Sequence, residues 1–148
     1  MSKRICKPII SEHSYMFILH KAFGTALQTL IGFILVAVID GTYLTLNKNF
    51  YRPIMGKRTS MIYGVLAWLS IVLGIQLIVL SRPGLNASNV FYHGAILGGA
   101  MYALYNFTNA FMYPDKWTNM IILGDTLWGA LLTGIISWSL FYFQKRLA

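Results

Sequence analysis

Charge is what this chain most lacks. Only 11% of its 148 residues are charged, whereas a soluble domain carries about 25%. Acid is scarcer still, with 4 Asp and Glu residues against 12 Lys and Arg. A single cysteine, Cys6, excludes an internal disulfide. The histidines, His13, His20 and His93, are too scattered to join Cys6 in a metal site. A nucleophile elbow, a His-Glu metal motif and a phosphate-binding loop are all missing. We therefore expect no enzyme, no cofactor and no metal.

What fills the chain instead is apolar surface: 57% of the residues are hydrophobic and the mean hydropathy is +0.61. Crossing the hydrocarbon of a bilayer takes roughly 20 mainly apolar residues as a helix. Four runs qualify: Ala22 to Leu46, Met61 to Leu80, Val90 to Tyr113 and Met120 to Phe143. A large soluble core is the competing explanation, but its helices would carry a polar face at the 3.6-residue period, and Met61 to Leu80 has none. The runs are continuous rather than alternating, which excludes a transmembrane barrel. The expected fold is an all-α polytopic membrane protein, four transmembrane helices joined by short loops, with residues 22–148 as one domain.

The remaining residues, 1–21, form a basic N-terminal segment. It has no small-residue cleavage site after a short apolar core, so a retained anchor is expected rather than a signal peptide. Residues Ile9 to Lys21 mix charges with Tyr15, Phe17 and Leu19, the composition of an interfacial stretch. The net charge of +8 sits almost entirely at span ends, as in Lys48, Arg52, Lys57 and Arg58. That placement fits anionic lipid headgroups and not nucleic acid. Pro53 and Gly56 break the helix after the first span, and Pro83-Gly84 marks a turn. A cap at Thr118 or Asn119 restarts the last span. With four spans both termini share one side. That side holds Lys3, Arg4, Lys7, Lys21, Arg82, Lys145 and Arg146 against Lys48, Arg52, Lys57, Arg58 and Lys116, which places the termini on the cytoplasmic or equivalent side by a small margin.

The spans contain a few polar residues that need an explanation. Asp40 and Tyr43 end the first, "YNFTN" places Asn106, Thr108 and Asn109 late in the third, and "GDTLWG" opens the fourth with Asp125, Trp128 and Gly129. An ionised aspartate at the bilayer centre costs roughly 2.5 to 3.5 kcal/mol on insertion scales, so both should face the bundle or an interface. Successive spans run in opposite directions, so Asp40, Asn106, Asn109 and Asp125 should share one depth just inside one leaflet. Gly94 and Gly98 form a GxxxG, and Ser70/Gly74 and Ala130/Gly134 are further small pairs that permit close helix approach, chiefly within the chain.

"DGTY" followed by "FYRPIMG", then "YNFTN", then "GDTLWG" resembles the signature of a domain-of-unknown-function family of small predicted membrane proteins, number 2177 in that series. The resemblance covers about residues 30 to 143 and implies a four-helix membrane protein. Its motif residues fall here on Asp40, Tyr51, Gly56, Tyr105, Thr108, Asn109, Asp125, Trp128 and Gly129. The chain departs from the pattern at Asn106, where the family has aspartate, and so lacks one titrating group.

Two functions follow from these residues. The preferred one is a non-catalytic component of a larger membrane assembly, such as an energy-converting complex or a virus particle, in which the Asp/Asn cluster ties the helices together and other membrane subunits are partners. The alternative is a small transporter or channel that uses the cluster to bind a cation, a proton or a polar ligand.

Overall fold

The computed structural model describes residues 12–52 and 60–147, and the side chains of residues 22–52 and 60–146. Expectations for residues 1–11 and for Pro53, Gly56, Lys57 and Arg58 lie outside the described residues. Within them all regular structure is helical: α1 (Glu12–Leu46), α2 (Lys48–Tyr51), α3 (Met61–Gly74), α4 (Ala87–Met112) and α5 (Asn119–Leu147). Helix α3 runs on through a π-helical turn, Ile75–Val79, in which the Leu80 amide donates to the Ile75 carbonyl at 2.9 Å.

Local chemistry accounts for the boundaries. No proline interrupts any of the long helices. The turn before α4 uses Gly84 at φ 69, a conformation that favours glycine. Helix α4 then starts behind Asn86, whose side chain accepts from the Asn89 amide at 2.8 Å. Thr118 plays the same role for α5, accepting from the Ile121 amide at 3.4 Å. The basic residues Lys145 and Arg146 occupy the last turn of α5, where the helix dipole favours positive charge.

Among the described residues three helices are long and apolar enough to cross a membrane: Ala22–Leu46 within α1, Met61–Val79, and Asn119–Arg146 within α5. The fourth expected span is a helix of sufficient length, 26 residues, or about 39 Å at 1.5 Å per residue. It does not meet the same hydropathy standard as the other three. The physical reason is its composition: Gly94, Gly98 and Asn106 on its inward face, and Tyr92, His93, Tyr105 and Asn109 elsewhere around it, stand where a more apolar span would carry leucine or valine. Helix α1 is continuous from Glu12, so residues 12–21 belong to the same helix as the first span.

The helices pack up and down. Helix α1 runs antiparallel to α3, as Gly32 against Val72 and Asp40 beside Trp68 show. It is also antiparallel to α5, with Gln28 reaching the Leu140 carbonyl and Asp40 reaching Trp128. A buried apolar cluster of Val36, Ile71, Val72, Ile75, Val90, Leu132, Ile136 and Leu140 fills the centre. A Cβ on Gly32 would meet Val72 Cγ1 at 2.8 Å and Leu140 Cδ1 at 3.0 Å, so α1, α3 and α5 converge at this glycine. At the end of the bundle nearer the N-terminus of α1, the Thr29 hydroxyl donates to Gln76 Oε1 at 3.0 Å.

The closest pair is α4 with α5. Four residues spaced by four on α4, Gly94, Gly98, Tyr102 and Asn106, oppose Ser137, Thr133, Gly129 and Asp125 on α5. At Gly94 a Cβ would lie 2.7 Å from Ser137 Cβ and 2.8 Å from the Thr133 carbonyl. At Gly98 it would strike the Gly129 carbonyl oxygen and the Thr133 side chain, and at Gly129 the Tyr102 ring. Lipid tails are as apolar as leucine, so dispersion between closely approaching backbones is what favours this contact. The Thr133 and Ser137 hydroxyls are buried with no hydrogen-bond partner. They lie where the Cα hydrogens of Gly98 and Gly94 point, the arrangement of weak Cα–H···O contacts between helices.

Candidate functional site

Aspartates in an apolar bundle need donors, and here the donors come from every neighbouring element. Asp40 is buried on α1. Its Oδ2 accepts the indole N–H of Trp68 from α3 at 2.8 Å, and its Oδ1 that of Trp128 from α5, also at 2.8 Å. Helices α3 and α5 run parallel to each other, and each brings one indole to the carboxylate. Trp128 also stacks on Tyr43, with ring centroids 3.9 Å apart and planes within 9°.

Tyr43 carries the connection onward. Its hydroxyl meets that of Tyr51 at 3.0 Å, and the Tyr51 hydroxyl donates to Asp125 Oδ1 at 2.9 Å, so Tyr43 supplies the hydrogen in the first contact. Asp125 Oδ2 accepts from Asn106 Nδ2 at 3.0 Å. The Asn106 amide also donates to the Tyr102 carbonyl at 2.9 Å, and its Oδ1 accepts the indole N–H of Trp117 at 2.7 Å. Asn106 is fully enclosed, with both faces of its amide engaged. The result is a continuous polar layer across one end of the bundle, at the end of α1, the end of α4 and the start of α5.

Every donor to the two carboxylates is neutral. Among the described residues no Lys, Arg or His pairs with either of them. Tyr51 stands outside the spanning segments, and its phenol is pushed well up, first by burial, then by the hydrogen bond with Tyr43 and by the nearby Asp125 charge. It therefore stays protonated and keeps donating. Each interhelical hydrogen bond in a membrane contributes about 0.6 kcal/mol on average and about 1.7 at most. Two per carboxylate recover about 1.2 kcal/mol at the average value and about 3.4 at the maximum, against an insertion cost of about 2.5 to 3.5 kcal/mol for an aspartate in the hydrocarbon. The layer thus fixes which side chains face one another more than it adds net stability.

Of the residues singled out from sequence, Asp40, Tyr43, Asn106, Asp125 and Trp128 meet in this layer. Thr108 and Asn109 do not. Thr108 is exposed and its hydroxyl donates back to the Leu104 carbonyl at 2.8 Å, while the Asn109 amide donates to the Tyr105 carbonyl, also at 2.8 Å. The inward stripe of α4 advances strictly by four, so Thr108, at about 200° from Asn106, faces away, and Asn109, at about 60°, falls off the edge. Gly94, Gly98 and Gly129 lie in the α4–α5 contact, and Lys48 and Arg52 are exposed around α2. Trp68 and Trp117 were missed, and Tyr51 was marked only by the family resemblance. The signal was available: an indole N–H in an apolar span needs an acceptor, and three of the 4 tryptophans find one here.

No three His, Cys, Asp or Glu side chains come together as metal ligands among the described residues. Residues 25–142 match the model of the family described as Predicted membrane protein (DUF2177). The chain belongs to the DUF2177 family. The matched span takes in every residue of the polar layer, from Asp40 to Trp128. No curated protein and no solved structure matches this DUF2177 chain.

Proposed function

We propose that this protein is a non-catalytic integral membrane component in which the layer of Asp40, Tyr43, Tyr51, Asn106, Asp125 and Trp128 locks the helices in register, and that it serves within a larger membrane assembly. The observation that carries the lock is that both buried carboxylates are held by neutral donors drawn from α2, α3, α4 and α5. Removing any one element leaves a carboxylate short of a donor. We further propose that α4 spans the membrane as a fourth helix, its glycine face shielded by α5, with both termini on the cytoplasmic or equivalent side.

The assembly reading is supported by the first two turns of α3. Residues 61–67 are exposed at every position, and Met61, Ile62, Tyr63 and Leu66 are all large and apolar. No face of that segment is buried against the described residues. On α1, Ala37, Gly41 and Thr45 line a shallow groove of about 480 Å³, and small residues at four-residue spacing admit a neighbouring helix closely. Lipids, including anionic headgroups beside Lys48 and Arg52, and other membrane subunits are the partners this surface fits.

The test is the native mass of the protein extracted from its own membrane in mild detergent, with co-purifying chains identified. A defined complex with other subunits is the expected result. A lone monomer or small homo-oligomer would instead favour transport of a cation, proton or polar ligand through Asp40 and Asp125, with loss of flux in Asp125→Asn liposomes as its mark.

A further inference from the structure

Helix α2 lies between two membrane-length helices, Ala22–Leu46 and Met61–Val79, and so rests at a membrane face. It is anchored at its start, where Asn47 Nδ2 donates to the Tyr43 carbonyl at 2.9 Å. Lys48, Asn49, Phe50 and Arg52 are exposed, yet Tyr51 in their midst is only 6% exposed. Its side chain turns inward over the ring of Tyr43, in an edge contact with centroids 6.0 Å apart, and ends on Asp125. Asp125 lies about 9 Å inside the start of α5 at 1.5 Å per residue, close enough to that face for water to reach it unless something covers it. Trp117, from the connection between α4 and α5, closes the neighbouring side by donating to Asn106.

We propose that α2 is a strap whose Tyr51 side chain closes the mouth through which water reaches Asp125. A swing of α2 about Asn47 withdraws the phenol, removes one of the two donors to Asp125 and opens the carboxylate to solvent. Asp40 is sealed independently by Trp68 and Trp128, so the strap controls one carboxylate and not the other. This goes beyond the lock, which requires the hydrogen bond but not the exclusion of water.

The experiment treats the purified full chain in mild detergent with a water-soluble carbodiimide and glycine ethyl ester, and quantifies labelling at each aspartate by peptide mass spectrometry. Asp115, exposed between α4 and α5, is the internal reference. In the unaltered protein Asp125 should label far more slowly than Asp115. Tyr51→Phe should raise Asp125 labelling about tenfold, the scale of one hydrogen bond to a charged group, and Tyr51→Ala should raise it further. Asp40 should stay unlabelled in both. Labelling of Asp125 at the rate of Asp115 in the unaltered protein, or no rise in the variants, would overturn the strap. So would an equal rise at Asp40, which would mean the bundle loosens as a whole. Should Tyr51→Ala fail to yield folded protein, Tyr51→Leu takes its place, since it also removes the ring that covers the mouth, and labelling of Asp125 no faster than in Tyr51→Phe would overturn the strap.

Discussion

Replacing Gly98 with alanine adds one methyl group at the tightest point of the α4–α5 contact. Two effects oppose each other. Alanine is favoured over glycine inside a helix by about 1 kcal/mol. Against this, the new Cβ meets the Gly129 carbonyl oxygen and the Thr133 side chain, and the first of these is backbone that cannot rotate aside. Overpacking of this kind typically costs about 1 to 3 kcal/mol, and contact with a main-chain oxygen places it at the upper end. The net expectation is a loss of about 2 kcal/mol, roughly a thirtyfold shift in the folding equilibrium. Gly124→Ala is the control, because nothing lies within 4 Å of a Cβ built there. It experiences only the propensity gain. Reversible unfolding in mixed micelles, titrated with a denaturing detergent and followed by tryptophan fluorescence, measures both variants. Should Gly98→Ala match Gly124→Ala to within about 0.5 kcal/mol, the variation usual for neutral surface changes, the close packing of α4 on α5 would not be what holds this pair.

Two further variants probe the polar groups by the same unfolding assay. Asp125→Asn retains one acceptor oxygen but turns a donor toward either Tyr51 or Asn106, leaving a buried donor unpaired, so a loss of about 1 to 3 kcal/mol is expected; unchanged stability would remove the carboxylate from the lock. Ser137→Ala deletes a buried hydroxyl that has no hydrogen-bond partner, so stability should hold or rise by up to about 1 kcal/mol, and a clear loss would mean that the contact of this hydroxyl with Gly94 stabilises the pair.

That Asp40, Asn106 and Asp125 lie at one level of the bundle was legible because it depends only on where each lies within its helix and on alternating helix direction. The helical content and three of the membrane-length runs were legible for a similar reason, since hydropathy is a property of each segment alone. What could not be read was which face of α4 turns inward. Thr108 and Asn109 sit within three residues of Asn106 and share its chemistry, and only the packing of Gly94 and Gly98 against α5 decides that the stripe advances by four. Trp68 was hidden because its partner, Asp40, lies on another helix, 28 residues earlier in the chain. Tyr51 was hidden because a four-residue helix beside a membrane carries no periodicity from which an inward direction could be deduced.

The glycine face of α4 has a bearing on how the protein is made. Its glycines, asparagines and tyrosines keep this helix below the hydropathy of the other three, although Ile96, Leu104, Phe107 and Phe111 make its outer face apolar. In the four-span arrangement it is retained by α5, which supplies the opposing surface and the carboxylate for Asn106, and α5 is synthesised later. On that proposed arrangement the two would enter the bilayer as a hairpin, with the earlier helix waiting on the later one. A chain cut short before Asn119 would lose two spans rather than one.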